Sequence, residues 1–264
     1  MKKVILNLMI LAAFLAAGCW DDAPIEASRG ERDDAIASII AGAVGYESNG
    51  LSAMVADMVT AGSGGTLRPA DDAGRTALVV TQNDSTFDPS TLSQNLVLAC
   101  QRNRGDAYSE WQLHYAIRYA GTRGAMPVDA TTAETHADGT YRNSRLTAHG
   151  SSTGHIGFVK IAKGGDAWLS GEYRWNGATS FRDGGEDYGD VTIVVTWNRF
   201  HVQCGAEAPM LEGRCDVTIR ANGPQGVVQK NGTIIFSGRD VARLSIGGRQ
   251  YVVGIRSPEY LREA

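Results

Sequence analysis

Hydrophobic positions along the chain fall into three regimes. Val4 to Ala17 is an apolar run interrupted only by Asn7 and preceded by Lys2 and Lys3. Between Glu31 and Gly62 apolar residues recur every three or four positions. They are Ile36, Ile39, Ile40 and Val44, then Leu51, Met54, Val55, Met58 and Val59 after the Ser48-Asn49-Gly50 break. That spacing predicts one broken helix or an αα-hairpin with a continuous apolar stripe. Glu31, Asp33 and Asp34 fall in its first turn, where they complement the helix dipole.

From about Thr76 the period changes to two. Ser109 to Tyr119 alternates cleanly, with Trp111, Leu113, Tyr115, Ile117 and Tyr119 on one face, and its partner is Leu96 to Arg102 across the Gly105-Asp106 turn. Further strands are predicted at Ile156–Ala162, Ala167–Trp175, Val191–Val202, Arg214–Ala221, Val227–Ser237, Val241–Ile246 and Arg249–Ile255. Segment 121–150 is polar, with scattered apolar residues, and reads as a long excursion. No helical pattern intervenes between the strands, which implies an antiparallel meander rather than a βαβ fold. Ile193, Val194, Val195 and Trp197 place apolar residues on both faces, so a sheet covered on both sides is expected. The fold class is therefore mainly β: an antiparallel meander, as a sandwich, barrel or curved half-barrel, with an N-terminal helical segment packed on it. The expected division is a signal peptide over 1–18, a tether over 19–30, helices over 31–62 and a β region over 63–264, the last two forming one domain.

The first apolar run is too short to cross a bilayer comfortably, and its basic start and small-residue end are those of a secretory signal peptide. Leu15-Ala16-Ala17-Gly18-Cys19 resembles the lipobox of bacterial lipoproteins, with Ala16 where leucine is usual. The resemblance implies cleavage before Cys19 and acylation of that cysteine, palmitate included. Each buried methylene contributes about 0.8 kcal/mol, so two or three chains make a durable anchor. The Cys-x-Asp-Asp arrangement of Cys19, Asp21 and Asp22 is similar to the acidic surface-export signals of some Bacteroidetes lipoproteins. The expected location is the outer membrane, on its periplasmic face or at the cell surface. The membrane, reached through Cys19, is the expected partner. The glycine-rich meander behind a short helical segment resembles uncharacterised Bacteroidetes-type envelope lipoproteins, a likeness that carries no activity.

Composition refines this outline. The 264 residues hold 25 Lys+Arg against 29 Asp+Glu, and removing residues 1–18 takes two lysines and no acid, moving the formal charge from −4 to −6. Such a charge argues against a nucleic-acid partner. The 32 glycines fit a turn-rich β chain. Cys204 and Cys215 flank the Gly205–Arg214 loop and are a candidate disulfide in an exported chain, with Cys100 as an alternative partner or all three as buried thiols. Asp183, Glu186, Asp187 and Asp190 line a glycine-rich loop whose oxygens suit calcium, although the spacing is not that of an EF-hand. His136, His149 and His155 would be the members of a loop metal cluster, but no diagnostic spacing joins them. Trp111, Tyr115, Tyr119, Trp168, Tyr173, Trp175 and Trp197 read as a sheet's core face. No catalytic set and no cofactor are expected. The leading expectation is a lipid-anchored, non-enzymatic binding or interaction module, with a carrier of apolar molecules and a metal-dependent or other hydrolase as alternatives.

Overall fold

A computed structural model describes residues 29–63, 77–104, 106–124, 126–162, 165–182, 184–204, 209–257 and 260–263. The chain divides into Met1–Arg32 and Asp33–Ala264, and the fold belongs to the second. The signal peptide, Cys19 and the tether through Ser28 lie outside the described residues.

Two helices, α1 (Arg29–Val44) and α2 (Leu51–Gly62), precede twelve strands. The strands are β1 (Ala77–Asp88), β2 (Ser93–Arg104), β3 (Ala107–Arg123), β4 (Met126–Arg142), β5 (Leu146–Ala162) and β6 (Asp166–Phe181). Then come β7 (Tyr188–Gln203), β8 (Met210–Gly223), β9 (Gly226–Gly238), β10 (Val241–Ile246), β11 (Arg249–Gly254) and β12 (Tyr260–Glu263). They form one sheet in sequence order, each antiparallel to the next. The predicted strands all appear, several of them longer than their apolar runs.

One prediction is overturned. Segment 121–150 is not an excursion: it contains the end of β3, all of β4 and the start of β5. The inward positions of β4 include Ala130, Ala133, Thr135 and Ala137, all buried. Small residues stand there because α2 packs against this strand, so the usual large-apolar alternation is missing.

α2 touches five consecutive strands, β3 through β7, and every residue from Leu51 to Gly62 except Thr60 is buried. A helix enclosed on all sides is what its nearly all-apolar sequence requires. The sheet curls round it. At Gly154 on β5 the helix comes close enough that an added Cβ would lie 2.3 Å from Met54 Sδ and 2.9 Å from Thr135 Cγ2. Curvature is helped by a transverse row of glycines, Gly139 on β4 opposite Gly150 on β5, itself opposite Gly177 on β6. Trp111 covers Gly139 from the neighbouring strand, filling the space a side chain would take.

The loop between the helices is held by both ends of the sheet. Tyr46 N and Glu47 N donate to the carbonyls of Ile255 and Arg256, just past β11. On the other side Arg102 of β2 donates to Tyr46 O at 3.1 Å, and Ser109 of β3 donates to Glu47 O at 2.8 Å. One short loop can reach both only because the sheet has curled round to bring its early and late strands together. The loop itself is set by Ser48, whose hydroxyl donates to Gly42 O and Gly45 O, and by Ser52, which donates to Val44 O. The Gly42 and Val44 carbonyls are among those that the end of α1 leaves open.

Among the described residues, the sheet is covered on its inner face only. On β3 the outward Glu110, Gln112, His114 and Arg118 are exposed and alternate with buried Trp111, Leu113, Tyr115 and Ile117. On β7, Ile193, Val195 and Trp197 are buried while Val194 is only half-buried, so the expectation of a sheet covered on both sides is corrected. No described helix is long and apolar enough to cross a membrane.

Candidate functional site

Among the described residues, two places concentrate polar chemistry, one inside the curled sheet and one on its outer face. Inside, Asp57 of α2 accepts a hydrogen bond from Tyr115 OH at 2.5 Å, both residues being buried. Asp33 of α1 pairs with Lys230 of β9, a mostly buried contact that ties the start of the helix to the sheet. Tyr251 lies near this pair, and burial first, then the charges of Asp33 and Asp34, push its phenol up to about 12. Beneath the helix–helix turn, Ile39, Gly42, Trp111, Tyr173, Trp175 and Thr179 line a cavity of about 10 Å3, room for about one water molecule. Trp111 Nε1 and Thr179 Oγ1 are buried there without a hydrogen-bond partner among the described residues. α2, buried along nearly its whole length, therefore occupies the concave face spanned by β3–β7.

The outer cluster is built on β6, β7 and β8. His201 of β7 stands opposite Trp168 of β6 and Glu212 of β8 in the ladder. Its Nε2 is 2.6 Å from Asp166 Oδ1, and its Nδ1 is 3.3 Å from Glu212 Oε2. The indole of Trp168 stacks on the imidazole with centroids 4.5 Å apart and planes 19° from parallel. Burial alone would lower the pKa of His201. Its hydrogen bonds to Asp166 and Glu212, and the two charges, outweigh that and raise it above the ordinary value.

Several sequence candidates separate in space. Of the seven aromatics, Trp111, Tyr115, Tyr119, Tyr173, Trp175 and Trp197 are buried, whereas Trp168 faces outward at 37% exposure. His114 and His136 are opposed across β3 and β4, His136 lies 2.8 Å from Asp138, and His155 lies 3.6 Å from Glu134. His149 meets Thr140 at 3.1 Å. These histidines are spread over the exposed face, and among the described residues no three metal-binding side chains gather in one place. Asp183 lies outside the described residues, and Glu186 accepts from Tyr188 OH at 3.1 Å.

Cys204 and Cys215 stand unbridged, in contrast to the Cys204–Cys215 pairing expected from the sequence. Gln203 pairs with Met210, and Cys215 pairs with Trp197 instead. At about 3.4 Å per residue, the five steps from Met210 to Cys215 span about 17 Å, whereas a bridge needs Cα atoms within about 7 Å. Cys204 Sγ donates to Ala56 O of α2 at 3.5 Å, and burial pushes this thiol up to about 11. Cys215, deep in the core, is pushed up further by the same cause.

No family model, no curated protein and no solved structure matches the chain.

The outer cluster is what sequence reasoning missed. Residue parity carried part of the signal, because position 168 falls on the opposite face from 173 and 175. The partnership with Glu212 did not show, since it depends on a register shift in the β7–β8 ladder between Trp197 and His201.

Proposed function

We propose that the protein is a lipid-anchored protein of the outer membrane, a non-enzymatic module that binds its ligand or partner on the outer face of a helix-filled β body. The lipobox-like segment ending at Cys19 supports the anchor. The observation that carries the binding mode is the filled interior. α2 lies against five strands with room for about one water molecule beside the helix turn. A lipid-sized cargo needs several hundred Å3, so the enclosed helix supports a partner met on the outer surface rather than a cargo held inside.

Metabolic labelling with palmitate checks the anchor. The expected outcome is label and membrane sedimentation for the wild type, both lost in Cys19→Ala. Unchanged labelling in that variant would remove the anchor. Titration with the apolar dye N-phenylnaphthylamine checks the binding mode, with no saturable binding to the folded protein expected. Saturable binding would favour the carrier of apolar molecules, with the helices displaced from the sheet.

A further inference from the structure

The cluster around His201 has the construction of a proton-dependent clamp. Carboxylates face both ring nitrogens, Asp166 at Nε2 and Glu212 at Nδ1. A neutral imidazole has one N–H and would turn a lone pair toward one of them, so only the imidazolium satisfies both. The ring is shielded on one side by Trp168, and its side chain is 17% exposed.

The clamp lies beside an irregularity in each of two ladders. Register shifts interrupt β6–β7 between Leu169 and Gly171, and β7–β8 between Trp197 and His201. Beyond those shifts the strand ends are held by a few pairs, among them Asp166 with Gln203 and Val202 with Leu211. Cys204 follows directly. Its amide donates to Gly165 O at 2.7 Å and its thiol to Ala56 O of α2 at 3.5 Å. The strand ends thus hold the residue that rests on the helix.

We propose that Asp166, His201 and Glu212, roofed by Trp168, form a proton-operated clamp that locks the ends of β6, β7 and β8 and so controls the exposure of Cys204 and its seat on α2. Protonation of His201 closes the clamp. Loss of that proton leaves two carboxylates across one neutral ring, and the strand ends loosen. Among the described residues, the other charges nearby do not replace it. Lys160 on β5 lies opposite Trp168, Arg214 on β8 reaches Asp216 at 3.6 Å, and Arg199 on β7 sits exposed at the bulge. Inward of the ring, Phe200 and Val202 are buried and apolar.

The test uses the full chain in detergent micelles, the wild type beside His201→Gln. Cys204 is labelled with a neutral methanethiosulfonate and quantified by peptide mass. The thiolate fraction rises with pH in both proteins, so the ratio of their rates isolates the clamp. At pH 5.5 the variant is expected to label at least about fivefold faster, with the ratio falling to about one above the wild-type His201 titration. A ratio of one at pH 5.5, or a raised ratio that does not change with pH, overturns the proposal. The His201 ring-proton titration, followed by NMR in the wild type, needs no variant. A midpoint above about 6.5 is expected, and one at or below it also overturns the proposal.

Discussion

Tyr115 and His201 show how differently one residue weighs inside and outside this sheet. Tyr115 OH reaches the buried carboxylate of Asp57, and a hydrogen bond to a charged group contributes about 1.5–3 kcal/mol. Tyr115→Phe is expected to lower stability by about that amount in urea unfolding, with the fold retained. His201 is a pH-dependent case. Its folded pKa is raised, so its contribution is fully present below the unfolded value of about 6.5 and is lost as pH rises through the higher folded value. The stability gap between wild type and His201→Gln, measured by urea unfolding across that range, is expected to be widest in acid and to narrow as pH rises. Gly50 depends on neither charge nor titration. An added Cβ there would lie 2.2 Å from Ala43 O, a backbone atom that cannot swing aside, so Gly50→Ala is expected to cost about 1–3 kcal/mol or more. The Ser48-Asn49-Gly50 break was legible in the sequence; the reason for glycine at that position was not.

Among the elements, β3 and β4 mark the limits of periodicity. β3 announces itself because Trp111, Leu113, Tyr115 and Ile117 are large and alternate with polar residues. β4 does not, because the volume its side chains would fill is already taken by α2. Gly62 of α2 sits so close to β4 that a Cβ on it would lie 3.1 Å from Ala130 Cβ. Ala130→Leu is therefore expected to overpack this contact and cost about 1–3 kcal/mol, while Thr131→Leu on the exposed face is expected to stay within about 0.5 kcal/mol. A strand whose inner face is shaped by a helix far away in sequence is hidden from local patterning. The meander order, by contrast, follows from short glycine-rich turns and was readable from them.

At the level of the whole sheet, the apolar stripe of the helices and the inward faces of the strands are two halves of one core. Ile36, Ile40, Leu51, Met58, Leu113, Ile117, Ile156, Tyr173 and Ile193 belong to the same buried cluster. Strand periodicity alone is compatible with a sandwich, a barrel or a half-barrel. What separates them is the curl enforced by the glycine row and by the loop that bonds to both ends of the sheet, neither of which is a local property. Met58→Ala is expected to cost about 2–5 kcal/mol because the surrounding strands cannot collapse onto the space it leaves. Hydrogen exchange at the backbone amides of Leu51–Gly62 tests the enclosed helix most directly. If α2 lies inside the sheet, those amides exchange as slowly as the core strands β3 and β6, through global unfolding. Exchange at the rate of a frayed surface helix, with the strands still protected, would contradict it.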